Sequence, residues 1–561
     1  MAEKLSIREK IAYALGDASA NIAWRGVSAF LIIFYTDVFG IAPGIVATLM
    51  LVARTSDGFT DVIMGAIGDR TKTRFGKFRP WILWTAIPLG VILSLLYTCP
   101  ESWSMGWKTA YAFTTYILFT LIYTANNIPY GALMAVMTGD DKERTSIGSF
   151  RMVGAFVGGM IVQGSLLLLV AHYGEINPSM EIQKIADKKF EVTITSPEEV
   201  KNVSINTMGG KATFLNTNDP NDNTTVGKSF SLPANQPITF IVEGEEDVKA
   251  GKTEFSTMLT KVFGIGDNQQ NSGAITLINQ NEGYSKAIYS LSVILILCLF
   301  ITFYFTRERV TPPASQKENI KEDLIDLIHN KPWVVLLIVG LVFNIYNNMK
   351  QGITVIYFTH YIHNQLLAGG YMTALMIASI VGAAITSPLS KKFGKKNLFI
   401  GALLVSGAIN SLLKFCGPQD TSAIFAVGCL SECAAAIMPT LFFAMLGDAA
   451  DYSEYMNGRR ATGLVYSAGS FATKFGGGIA GAIIGWVLSM YGYNGQDSIA
   501  IQNAVPGIIQ LMSWIPAIIA LIGTALMYMY PLNQEKMDAI TTELSNRRNN
   551  AGGSALQEVN Q

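Results

Sequence analysis

Apolar runs of bilayer-spanning length recur twelve times along this chain, and that repetition leaves few folds open. They fall near residues 11–38, 43–68, 80–99, 109–137, 150–172, 285–306, 333–360, 367–389, 395–415, 421–447, 462–490 and 505–531. A helix rises about 1.5 Å per residue, so about 20 apolar residues cross the hydrocarbon core. Inside that core each backbone amide needs a partner within its own segment, which makes such spans helices. Half of the residues are hydrophobic and only 15% are charged, a balance that excludes an ordinary soluble globule. The expectation is an all-α membrane protein of twelve transmembrane helices.

The formal net charge is zero, but the charges are unevenly placed. Basic clusters sit at Arg70 to Arg79, Lys142 to Arg144, Arg307 to Lys331, Lys391 to Lys396, and Arg459–Arg460, each after an even-numbered span. The short connections after odd spans carry a single cation, Lys108. The positive-inside rule then places both termini and the basic loops in the cytoplasm of a multi-pass protein. The polar start, with Glu3, Lys4, Arg8, Glu9 and Lys10, precedes a full-length span and reads as uncleaved. Cys99, Cys298, Cys416, Cys429 and Cys433 lie in or beside apolar runs and imply no disulfide framework.

One outer connection is long. Residues 173–284 are polar, lack cysteine, and contain alternating runs at Phe190–Thr195, Lys211–Leu215 and Ile238–Val242 between turn-forming clusters. This pattern predicts a small extracytoplasmic β-rich domain. It suits substrate capture, contact with an outer partner, or a decorative insertion. The other expected units are helices 1–5 over 1–172, helix 6 over 285–306, a cytoplasmic linker over 307–332, helices 7–12 over 333–531, and a cytoplasmic tail over 532–561.

The two halves echo each other. Thr73-Arg-Phe-Gly-Lys-Phe78 follows span two, and Lys391-Lys-Phe-Gly-Lys-Lys396 follows span eight. A shared FGK turn in corresponding places suggests a six-plus-six repeat with the substrate site between the halves. Within span two, Arg54, Asp57 and Asp61 share one helix face. A charge at the bilayer centre costs roughly 2.5 to 3.5 kcal/mol on insertion scales, so such residues face a polar cavity and a partner. A cation, a proton or Arg54 itself meets that need.

Several motifs together carry a closer likeness: Tyr35-Thr-Asp-Val38, Leu51-Val-Ala-Arg54, Asp57-xxx-Asp61, Arg74-Phe-Gly-Lys-Phe-Arg-Pro-Trp81, Asn127-Ile-Pro129 and Asp448-xx-Asp451-Tyr. The chain resembles the glycoside–pentoside–hexuronide:cation symporters of the major facilitator superfamily, over its whole length except the insert and far tail. The resemblance implies a twelve-helix facilitator fold and uptake of a sugar or glycoside driven by Na⁺ or H⁺. No other cofactor is implied.

By that resemblance Asp57 and Asp61, with Thr60 and Thr124, hold the coupling cation. Carboxylates and hydroxyls suit a hard cation, and the crowded acids equally suit a proton. Thr60 stands where the melibiose-type pattern has Asn, which leaves the ion open. The sugar site is expected from Asp17, Asn21, Trp24 and Arg25 on span one, and Tyr123, Asn126 and Asn127 on span four. Arg151 on span five, and Ser470 and Lys474 on span eleven, complete it. Asn21 and Asn127 replace acids of the melibiose-type pattern, and Gly131 replaces a Trp, so the sugar is open too. Arg151 and Lys474 are candidates to meet a carboxylate if the sugar is acidic. The alternative for each of these polar residues is a helix-packing contact, and the sugar site is the preferred reading.

Asp69, Arg70 and Arg74, with Asp448, Asp451, Arg459 and Arg460, are expected to form a cytoplasmic gate. Asn344, Asn347, Asn348 and Lys350 are placed at the cavity or a gate, and Glu432 at the cavity or in a packing contact. His360 and His363 read as ordinary interfacial residues. The reading is a monomeric symporter in the cell inner membrane, bound to lipid and a small sugar, with no nucleic acid and a partner conceivable at the insert. Its alternatives are a facilitator-fold carrier of a lysolipid or drug, and a non-transporting sensor. No nucleophile–base constellation points to an enzyme.

Overall fold

The computed structural model describes residues 5–138, 141–186, 189–208, 213–216, 229–243, 249–250, 274–309, 328–457 and 462–544. Among these, ten helical stretches are long and apolar enough to cross a membrane. The first half contains α1 (Ile7–Ile33, continued by a π-helical turn at Phe34–Val38), α2 (Pro43–Arg70), α3 (Arg79–Leu96), α4 (Met105–Met137), α5 (Asp141–Gly174) and α6 (Gln280–Phe305). The second contains α7 (Lys331–His360), α8 (Gln365–Phe393), α9 (Lys395–Ser411), the pair α10 (Thr421–Ala435) and α11 (Ile437–Asn457), α12 (Thr462–Met490), and the pair α13 (Ser498–Met512) and α14 (Trp514–Tyr528). With α2 and α4 counted, the rods number twelve, and they alternate in direction. One face of the bundle carries the start of α1, the end of α14 and the FGK turns. The other carries the insert.

Sequence chemistry explains the joints. Pro439 has no N–H to give the carbonyl four residues back, and the helix breaks beside it at Ala436. At the second break the Asn410 amide donates to the Met512 and Ser513 carbonyls at 2.8 and 3.1 Å, replacing the lost ladder. The helices α1 and α5 touch through Gly154 and Gly158. A Cβ would stand 2.1 Å from the Ala14 carbonyl oxygen at the first and 2.3 Å from that of Ala18 at the second. Small residues four apart permit this approach in a bilayer, where packing rather than hydrophobicity joins helices.

The FGK turns are alike in backbone. Gly76 has φ +108° and Gly394 has φ +76°, both in the region that favours glycine. Behind Gly76 the Glu308 carboxylate accepts from the N–H groups of Lys77 and Phe78, each at 2.8 Å, and of Arg79 at 3.0 Å. It thereby caps the start of α3. The tail helix 534–544 buries Ile540 and Leu544 against the second half.

The insert is a pair of sheets. In one, β1 (Glu175–Ile176), β9 (Ala274–Asn279), β4 (Val200–Met208) and β6 (Ser229–Leu232) lie in that order, with the short β8 (Lys249–Ala250) parallel to β9. In the other, β2 (Ser179–Ala186), β3 (Lys189–Thr195), β7 (Ile238–Glu243) and β5 (Thr213–Asn216) are antiparallel. Phe190, Val192 and Ile194 alternate inward from β3 and meet Val203, Ile205 and Leu277 of the other sheet. Lys211 and Ala212 of the expected middle strand lie outside the described residues. The strand β9 runs straight into α6, whose first turn is capped by Asn279.

Candidate functional site

A cavity of about 730 Å³ lies between the halves. The first half contributes Asn21, Trp24 and Arg25 from α1 and Met152, Phe156 and Gln163 from α5. The second half contributes Asn344, Asn347, Asn348, Lys350, Gln351 and Thr354 from α7, Ser379 from α8, Glu432 from α10, and Thr440 from α11. Toward the terminus face its walls stay open, with Met152 and Phe443 exposed. Toward the insert face the halves meet. Gly485 of α12 comes so near α2 that a Cβ would lie 2.5 Å from the Pro43 carbonyl oxygen. Ser28 on α1 donates to Gln351 on α7 at 3.4 Å.

The insert-face seal has a polar centre that sequence reasoning did not find. Asp37, in the π-helical turn after α1, accepts from Tyr493 at 2.8 Å and lies 2.8 Å from His360 Nε2. Thr36 donates to the same carboxylate at 2.6 Å, and Tyr493 Oη lies 2.8 Å from His360 Nε2. Asp37 belongs to the first half, and His360 and Tyr493 to the second. His360 is 1% exposed, so it is no ordinary interfacial residue. The sequence offered one clue, a carboxylate and an imidazole both at span ends.

A second contact crosses the halves deeper in the bundle. Lys474 Nζ of α12 lies 2.5 and 2.6 Å from the two oxygens of Asp61 on α2. Thr124 of α4 donates to Asp61 at 3.1 Å. This places Lys474 with the expected cation residues and takes its ammonium away from the expected sugar set. The physical reason is charge: Asp61 is the partner that a largely buried ammonium needs. Thr60 is half-buried on the same helix, and the Asp57 side chain lies outside the described side chains.

Other expected sugar residues are engaged elsewhere. Asp17 and Arg151 pair at 3.2 Å, beside the stacked rings of Tyr13 and Tyr130, and join α1 to α5. Asn126 is 1% exposed and donates to Thr85 at 2.7 Å, a contact that packs α4 on α3. Asn127 is half-buried on α4 and does not line the cavity. Tyr123 stands against Trp24, ring centres 5.3 Å apart. Of the expected set, Asn21, Trp24 and Arg25 line the cavity, and the Ser470 side chain lies outside the described ones. The sequence was weaker on the opposite wall. There Lys350 donates to Glu432 at 3.1 Å and to Ser431 at 3.2 Å, and Ser379 donates to Glu432 at 3.0 Å.

At the terminus face Asp448 pairs with Lys395 of the second FGK turn, both oxygens at 2.7 Å. The expected partners Arg459 and Arg460 lie outside the described residues, as does the Asp69 side chain. Arg70 and Arg74 are exposed, Arg74 over the Phe75 ring. Among the described residues no group of three or more His, Cys, Asp or Glu could hold a metal ion.

Twelve alternating rods in two echoing halves, with a polar cavity between them, define a multi-pass membrane transporter of the facilitator type. The chain belongs to the MFS/sugar transport protein family, which it matches over residues 12–193 and 251–534, and it is not an enzyme. The unmatched stretch falls in the insert. The chain is 30% identical to the inner membrane symporter YicJ of Escherichia coli, across 94% of this chain and 92% of that one. It is 27% identical to the isoprimeverose transporter of Lactiplantibacillus pentosus, across 91% and 85%. Its fold is also that of a bacterial homologue of the lysosomal transporter Spinster in an inward-facing, unoccupied state. That likeness has a TM-score of 0.61 at 10% identity and covers 94% and 97% of the two chains.

Proposed function

We propose that this protein carries a sugar or glycoside into the cell together with a cation, by alternating access. The observation that carries the reading is the Lys474–Asp61 pair. It joins the two halves beside the cavity, and Thr124 adds an oxygen to the same site. A tethered ammonium there holds the place that a Na⁺ ion or a proton would take. When a mobile cation neutralises Asp61, with Asp57 one turn away, Lys474 is released and the halves are freed from each other. Coupling is then reciprocal: the cation tightens sugar binding by the factor with which sugar tightens cation binding. The chain sits in the cell inner membrane as a monomer, with termini and FGK turns inside and insert outside. The polar walls weigh against a lysolipid or drug cargo, and family membership against a sensor.

Labelled glycosides offered to energised vesicles, with and without a Na⁺ gradient at fixed pH, test this. The expected result is accumulation of one glycoside class that collapses with the ion gradient and is absent in Asp57→Cys and Asp61→Cys carriers present at normal levels. Accumulation against a gradient by those variants would end the reading.

A further inference from the structure

Three buried polar atoms on the cavity wall have no hydrogen-bond partner: Arg25 Nε, Gln163 Oε1 and Asn347 Oδ1. Leaving such an atom unmet costs free energy, so a wall that keeps three of them is shaped for something that enters. Their chemistry is specific. Arg25 offers a permanent charge and a planar fork of donors, and the two amide oxygens offer acceptors. The matching ligand has one anionic group and hydroxyls that donate. Charge bookkeeping agrees. Lys350 and Glu432 satisfy each other, Lys474 is held by Asp61, and Arg151 by Asp17. Among the described lining residues two cations, Arg25 and Lys350, then share the one carboxylate of Glu432, which leaves the wall one positive charge in excess, and Arg25 is the cation without an ion pair. Trp24, next to it, gives an apolar face for a sugar ring. Arg25 and Gln163 belong to the first half and Asn347 to the second, so one ligand would touch both halves.

Resting on the sugar-symport reading, we propose that Arg25, Gln163 and Asn347 form the substrate receptor and select a sugar bearing a carboxylate. Arg25 takes the carboxylate, and the two amide oxygens take ring hydroxyls. The cations first expected to meet an acidic sugar, Lys474 and Arg151, are already paired.

The test uses the full chain in proteoliposomes and matched phenyl glycosides that differ only at C6, glucuronide against glucoside and galacturonide against galactoside. In at least one pair the acid is expected to enter about tenfold faster or more, the scale of one charge-assisted hydrogen bond. Arg25→Gln is expected to bring that ratio toward one, and Arg25→Lys to keep most of it, which separates lost charge from lost folding. Gln163→Leu and Asn347→Leu are expected to slow both members of a pair and leave the ratio in place. Faster entry of the neutral member, or a ratio that survives Arg25→Gln, would overturn the proposal and leave sugar symport standing. Entry of neither member in any pair would overturn both.

Discussion

Two buried lysine–carboxylate pairs lie at or next to the cavity, and they differ in what they join. Lys350 and Glu432 line it, and Lys474 follows Thr473 of its wall. Lys474–Asp61 ties the second half to the first. Lys350–Glu432 ties α7 to α10 within the second half, with Ser431 and Ser379 completing it. Both are largely shielded from solvent. The difference is mechanical. A pair inside one half moves with it as a body when the halves rock, and nothing in transport requires it to break. A pair between halves has to break, and whatever competes for its carboxylate gains control of the rocking. The position of the partner thus separates a structural pair from a coupling one, more than burial or distance does.

Neutral double variants break that comparison most sharply. Removing one partner of a buried pair costs about 3–5 kcal/mol, while replacing both by groups of similar volume is often tolerated. Asp61→Asn with Lys474→Met is expected to keep near wild-type thermal stability and to lose all accumulation against a gradient. Lys350→Met with Glu432→Gln is expected to keep that stability as well, and to go on concentrating substrate, though with weaker affinity. Melting curves in detergent and gradient-driven uptake check both. Equal loss of accumulation in the two doubles would erase the distinction.

The insert-face seal offers a third contact between halves, this one without lysine. His360→Ala leaves Asp37 with Tyr493 and Thr36 only. Losing a hydrogen bond to a charged group is worth about 1.5–3 kcal/mol. The seal should therefore open about tenfold to a hundredfold more often. In a cysteine-free background, Thr354→Cys on the cavity wall reports this. A membrane-impermeant thiol reagent applied from the insert side should label it correspondingly faster when His360 is absent. Unchanged labelling would mean the seal rests on the close α2–α12 packing alone.

The fold was highly legible because hydropathy and periodicity are local. Twelve apolar runs, the FGK echo and the alternating strands around Phe190 each appear within a few neighbouring residues. The site was less so, because a side chain's partner is not written beside it. Arg25 and Lys474 both read as cations for sugar. Only the folded chain shows that Asp61, more than 400 positions earlier in the chain, claims Lys474, while Arg25 Nε stays unmet. Asn126 misled for a similar reason: a polar residue in a span needs a partner, and Thr85 of the neighbouring helix supplies it without any cavity. Asp37 stands within the Tyr35–Val38 motif, but its role is not legible there, since the imidazole and phenol that meet it come from distant span ends.

The smallest effect tests whether that seal acts through all its members. In Tyr493→Phe the ring stays and one hydroxyl is lost. Tyr493 is 3% exposed and Gly495 packs its backbone directly on Asp37, so the loop position should hold. Asp37 keeps His360 and Thr36, and the deficit is one hydrogen bond to a carboxylate, at the low end of about 1.5–3 kcal/mol because the ring and its packing remain. That corresponds to roughly a tenfold rise in opening, the lower end of the range expected for His360→Ala, which loses its ring as well. The Thr354→Cys label should move by that smaller amount, while the Asp61–Lys474 contact, on a separate pair of helices, stays intact. An effect as large as that of His360→Ala would mean that the hydroxyl positions the imidazole, and that the three groups act as one unit. No effect would mean that His360 and Asp37 hold the insert face closed by themselves.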